Sequence, residues 1–190
     1  MHLLGISCFY HDAAAALLSE GQLIAAAEEE RFSRKKHDFG FPSGAIRFCL
    51  QQGGINSQDL DYVVFYEKPF LKFERLLKTI LWTSPGSLGV FREAMVTWLM
   101  DKLWIKDLLR RKLGVDPAKL LFSEHHLSHA ASAFYPSPYE EAAIITVDGV
   151  GEWATASVGV GRDRDIKIHR EIHFPHSLGL LYSAFTAYLG

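Results

Sequence analysis

The stretch EAAIITVDGVGEWATASVGVGRDRDIKIHREIHFP, residues 141–175, carries the fold. Apolar alternation, two glycine-bearing turns and a run of β-branched residues read as three successive strands. The first strand ends on Asp148-Gly149-Val150-Gly151-Glu152. Glycines at 149 and 151 let backbone N–H groups approach and cradle a phosphate, and Asp148 at the strand end can orient a metal ion, a ribose or a phosphate-bound water. An ordinary hairpin with an Asp-Gly turn is the competing reading.

Working outward, the first thirty residues repeat the pattern. LLGISCF (3–9) is a short apolar strand, and AAAALLSEGQLIAAAEEE (13–30) reads as two more around a turn at Ser19–Gln22. Gly21 can take the positive φ such a turn needs. The alanines also tolerate helix, so their composition leaves both options open. The polar run EEERFSRKKHDFGFP (28–42) follows. Pro42 and Ser43 open a helix that runs to about Gln52 and closes at Gly53–Gly54. SQDLDYVVFYEKP (57–69) supplies another strand, 70–112 reads as mostly helical, and AKLLFSEH (118–125) is a short strand. Leu88, Phe91, Met95, Trp98 and Leu99 form an apolar stripe at helical spacing. Lys102, Lys106, Arg110 and Arg111 read as a solvated face. SLGLLYSAFTAYLG (177–190) begins a helix. Two strand clusters with helices between and after them predict a mixed α/β domain with a largely buried sheet.

Composition narrows the function classes. The chain has 190 residues, 48% hydrophobic and 22% charged, and a net charge of −2, as in an ordinary globular protein without the basic excess of a nucleic-acid binder. The two cysteines, Cys8 and Cys49, have neither disulfide-framework nor zinc-knuckle spacing. A reducing cytoplasm is expected. No secretory signal or membrane span is expected, because charge interrupts every long apolar run.

LLFSEHHLSHAASAFYPSP (120–138) places His125, His126 and His129 within five positions. On a helix, His125 and His129 share a face, whereas the adjacent His126 diverges. Two imidazoles suit Zn, Fe, Cu or Ni and call for a carboxylate to complete the set. Exposed imidazoles on a polar helix turn are the competing reading. In GISCFYHDAAAAL (5–17), His11 and Asp12 sit between the first two strands, where the His11 imidazole can act as a general base. The run holding Glu29, Arg31, Arg34, Lys35, Lys36 and His37 is either a solvated face or a basic loop for a nucleotide or an acyl phosphate.

Taken together, GISCFYHDAAAALL, AAEEERFSRKKHD, FPSGAIRFCL, EHHLSHAASAFYPSP and ITVDGVGEW resemble the N-terminal part of the O-carbamoyltransferases of nodulation-factor and antibiotic tailoring. The resemblance covers essentially the whole chain. It implies an incomplete actin/sugar-kinase/Hsp70-type (ribonuclease H-like) fold, with a helical insertion at about 70–112. It implies transfer of a carbamoyl group from carbamoyl phosphate, through ATP and a carbamoyl-adenylate, to a hydroxyl of a sugar or antibiotic precursor. It further implies a divalent metal, iron by the family's pattern, on His125 and His129, with an aspartate beyond Gly190 completing the set. His11 takes the catalytic position near the acceptor. Asp12, Lys36, Asp148, Gly149 and Gly151 fall to the nucleotide and phosphate. The second half of the fold and an adenylate-forming domain are expected beyond Gly190 as the remaining part of the enzyme. Neither nucleic acid nor membrane is an expected partner. Two readings compete: an actin-like ATPase or sugar kinase, and an inactive fragment that acts only as a binding module.

Overall fold

Alternating burial builds the first sheet. In the computed structural model, which describes residues 1–84, 86, 89, 91 and 104–190, β1 (His2–Ser7) buries Leu4 and Ile6, and β2 (Ala14–Ser19) buries Ala15 and Leu17. β3 (Gln22–Glu28) follows a tight turn in which Glu20 (φ 50°) and Gly21 (φ 80°) are both left-handed. Two such residues give the turn whose twist matches that of the flanking strands. β4 (Tyr62–Phe65) buries Val63 and Phe65, and β5 (Leu120–Phe122) completes the order β3-β2-β1-β4-β5. β2 runs antiparallel to both of its neighbours, β1 and β3, whereas β4 pairs parallel with β1 and β5 parallel with β4. This is a mixed sheet with flanking helices, as the sequence reading expects.

Helices bury side chains in the core of this sheet. α1 (Glu30–Ser33) is a single short turn. α2 (Ser43–Gly53) buries Ala45, Ile46 and Cys49, and ends on Gly54 at φ 63°. The Glu29 carboxylate accepts from the Gly44 and Ala45 N–H groups at 3.0 and 2.8 Å. It therefore satisfies otherwise orphaned donors at the start of α2. The sequence reading puts Glu29 in a solvated or anion-holding run, but the structure buries it as a helix cap. A later helix, Ile105–Leu113, buries Ile105, Leu109 and Leu113 at four-residue spacing, and exposes Lys106, Arg110 and Arg111. Apart from Phe91, the apolar stripe expected over 88–99 lies outside the described residues, as does Lys102.

The chain divides into two compact units, Met1–Tyr66 with Arg92–Phe122, and Glu67–Phe91 with Ser123–Gly190. The second begins with α3 (Pro69–Trp82), so the helix Ile105–Leu113 is α4 in chain order. Its sheet is an antiparallel meander of β6 (Glu141–Val147), β7 (Ala154–Arg162) and β8 (Asp165–His173). α5 (His125–Phe134) packs Ala130 and Phe134 against Ile144 of β6. α6 (Leu178–Leu189) is capped by the Ser177 hydroxyl, which accepts from the Leu180 N–H. Among the described residues no helix is long and apolar enough to cross a membrane.

Candidate metal centre

The histidine pair is set by the pitch of α5. His125 and His129 lie one turn apart, with their Nε2 atoms 3.1 Å apart and their rings nearly perpendicular at 85°. Asp148, at the end of β6, places Oδ2 at 2.7 Å from His125 Nε2 and 3.8 Å from His129 Nε2. The other oxygen, Oδ1, accepts from the Gly149 N–H at 2.6 Å, which turns Oδ2 toward the imidazoles. Two imidazole nitrogens and a carboxylate oxygen thus converge within 4.8 Å of one another. That donor set fits a first-row divalent ion. A carboxylate within this chain therefore stands beside the pair, although the resemblance places the completing aspartate beyond Gly190.

Burial grades the three. The His125 side chain is 9% exposed, Asp148 27% and His129 51%, so the group is closed at His125 and open toward His129. Hydrogen bonds from His125, and next from His129, hold the Asp148 carboxyl far below the usual carboxylate range despite partial burial. His126 turns away, as its adjacent position predicts. Its Nδ1 meets Thr146 Oγ1 at 2.5 Å, and Thr146 Oγ1 meets Ser157 Oγ at 2.6 Å. Burial, followed by the neighbouring His125, pushes the His126 imidazole below its ordinary pKa.

The Asp148–Trp153 loop joins β6 to β7 as a hairpin connection. Its two glycine N–H groups have acceptors inside the chain: Gly149 donates to Asp148 Oδ1, and Gly151 to the Ala154 carbonyl at 3.0 Å. Gly151 also serves packing. A Cβ there would lie 3.0 Å from Cδ2 of both His125 and His126, and 2.9 Å from the Ala154 carbonyl. Glycine is what lets the histidine helix close on the loop. The Arg75 guanidinium of α3 donates to the Gly151 carbonyl at 2.7 Å and holds the loop from the other side.

The structure surrounds the triad with charged residues that the sequence reading does not single out. Glu67 and Lys72 form an ion pair at 2.8 Å with side chains 7% and 8% exposed. Glu152 is buried; its carboxylate accepts from the Lys68 N–H and, at 3.4 Å, from the His125 N–H. Burial raises its pKa. A charged residue between apolar neighbours, as in VVFYEKPF, is the available sequence signal.

The remaining candidates belong to the first unit. His11 is exposed and its ring lies 4.0 Å from that of Tyr10. The exposed Asp12 carboxylate lies 3.0 Å from His37 Nδ1, and the His37 N–H donates to Glu30 at 3.2 Å. Lys36 is exposed beside this group.

Comparisons with known proteins agree with the resemblance. Residues 2–190 match the family model described as carbamoyltransferase N-terminus. The chain is 38% identical over 187 residues to the nodulation protein NolNO of Sinorhizobium fredii, covering 96% of this chain and 26% of that protein. It is 55% identical over 196 residues to an uncharacterized protein of Synechocystis, covering 100% of this chain and 32% of that one. The chain thus spans about a third or less of the length of these relatives. Among solved structures, YeaZ from Pseudomonas aeruginosa aligns with a TM-score of 0.47 at 14% identity, covering 94% of this chain and 72% of that one. The family match over nearly every residue is decisive: this chain belongs to the carbamoyltransferase N-terminus family.

Proposed function

We propose that the chain forms part of an ATP-dependent O-carbamoyltransferase acting on a hydroxyl of a sugar or antibiotic precursor. The observation that carries this reading is the convergence of His125, His129 and Asp148, in a chain of the carbamoyltransferase N-terminus family. In this reading these three residues hold a divalent metal, iron by the family's pattern. A bound metal supplies Lewis-acid polarisation of a phosphate or carbamoyl oxygen. The carbamoyl group comes from carbamoyl phosphate and ATP as carbamoyl-adenylate. His11 accepts the proton of the acceptor hydroxyl at an imidazole nitrogen. The acceptor oxygen then bonds to the carbamoyl carbon, and AMP leaves with the electrons of the broken bond. Lys36 offers a positive charge to the anionic donor, and Asp12 orients the basic segment through His37. The loop bearing Asp148, Gly149 and Gly151 borders the nucleotide phosphates. The two buried cysteine thiols, Cys8 and Cys49, support a place in the reducing cytoplasm.

The test uses the full-length protein with carbamoyl phosphate, ATP and an aminoglycoside, cephem or oligosaccharide acceptor. Wild type should hold metal, release AMP and carbamoylate an acceptor. His125→Ala, His129→Ala and Asp148→Ala should each lose at least tenfold in metal affinity and in transfer. Unchanged metal content and transfer in these variants would remove the site assignment. ADP release in place of AMP would point instead to an ATPase or sugar kinase.

A further inference from the structure

Each ligand histidine has a second ring nitrogen, and what holds that nitrogen sets how the first is presented. His125 turns Nε2 toward His129 and Asp148, so Nδ1 is its outer nitrogen. Glu67 Oε2 lies 3.9 Å from that Nδ1 and accepts from Lys72 Nζ at 2.8 Å. Both members of the Glu67–Lys72 pair are more than nine-tenths buried. Desolvating two ions is a poor way to gain stability, and a well-packed apolar pair often does as well. A buried carboxylate facing the outer nitrogen of a metal-binding imidazole has a specific use: its charge favours the tautomer with the proton on that side, and so leaves the free lone pair on the other nitrogen.

Two further contacts hold the Glu67–Lys68 segment beside His125. One Glu152 carboxylate oxygen accepts from the Lys68 N–H, and the other accepts from the His125 N–H at the start of α5. The Lys68 ammonium donates to Glu124, the residue before His125, at 2.8 Å. All of these residues belong to the second unit.

We infer that Glu67, anchored by Lys72, is the positioning residue of this centre: its buried carboxylate charge, 3.9 Å from His125 Nδ1, favours the tautomer with the proton on Nδ1 and so directs the Nε2 lone pair at the metal. The inference rests on the metal reading above. It goes further by assigning a role to a buried ion pair that stands outside the His125, His129 and Asp148 group.

The test is a titration of the full-length protein with Co²⁺, followed by its visible absorption bands and by calorimetry. Glu67→Gln should bind Co²⁺ 10–100-fold more weakly than wild type, with altered bands. The double variant Glu67→Gln/Lys72→Met removes both charges and so avoids a stranded buried lysine. It should regain wild-type thermal stability while its Co²⁺ affinity stays weak. Wild-type affinity and bands in either variant would overturn the inference and leave a merely structural ion pair. Absence of Co²⁺ binding by wild type would overturn the metal reading itself, and the positioning role with it.

Discussion

Gly151 shows how much of the candidate centre depends on the absence of one carbon. Because a Cβ there would press on His125, His126 and the Ala154 carbonyl, Gly151→Ala should cost about 1–3 kcal/mol as an overpacking change. It should also loosen the Asp148 loop from the histidine helix. Denaturant unfolding reads the first effect and metal titration the second; a variant normal in both would show that the loop yields freely. His126 offers a second test at this scale. Its folded pKa lies below the ordinary 6.5 because burial disfavours the charged ring. The folded protein therefore refuses a proton that the unfolded chain accepts below that pH. Stability of the metal-free protein is full above pH 6.5, falls as pH drops from there, and levels once the folded ring finally charges. His126→Gln should flatten the difference between unfolding free energies at pH 7.5 and pH 5.5, and an undiminished slope would place the titration elsewhere. The His125–His129 pairing is readable from four-residue spacing alone. The roles of Gly151 and His126 are not, because both depend on contacts between α5 and the β6–β7 hairpin further along the chain.

At the scale of elements, α2 shows two kinds of end. Its C-terminus follows from sequence, since Gly54 takes the left-handed conformation that most side chains resist. Its N-terminus is capped by Glu29, fifteen residues before Gly44. Capping from that distance leaves no local signature, so the residue reads as one more charge in EEERFSRKKHD. Glu29→Ala should lower stability by about 2 kcal/mol, the scale for losing charge-assisted hydrogen bonds at a buried site. Equilibrium unfolding checks it, and a loss within a few tenths would mean that water replaces the carboxylate. β6 and β7 were predictable from alternation and the Asp-Gly turn. That the same Asp148 then serves as a carboxylate for the histidines depends on α5 packing against β6, a tertiary contact.

At the scale of the whole chain, each of the two units contains an antiparallel three-strand meander. The first extends its sheet with two parallel strands, and the second has three strands among the described residues. The second unit also exposes an apolar helix: Leu178, Tyr182, Phe185 and Leu189 of α6 are 54%, 77%, 59% and 78% exposed. A stripe of that kind binds something apolar or associates. Expressed as these 190 residues alone, the protein should bind an apolar dye and self-associate, and Tyr182→Glu/Phe185→Glu should reduce both. Dye-free, monomeric behaviour of the unmodified chain would contradict the exposure. By itself the sequence determined the alternating strands β6 and β7, the glycine-closed end of α2 and the pairing of His125 with His129. Those features depend on repeats of two and of about 3.6 residues and on turn chemistry within a few positions. The tertiary structure alone decided that Asp148 completes the triad, that Glu67 and Lys72 stand behind His125, and that Glu29 caps α2. Each of these joins residues far apart in the chain, and side-chain periodicity carries no information across such a gap.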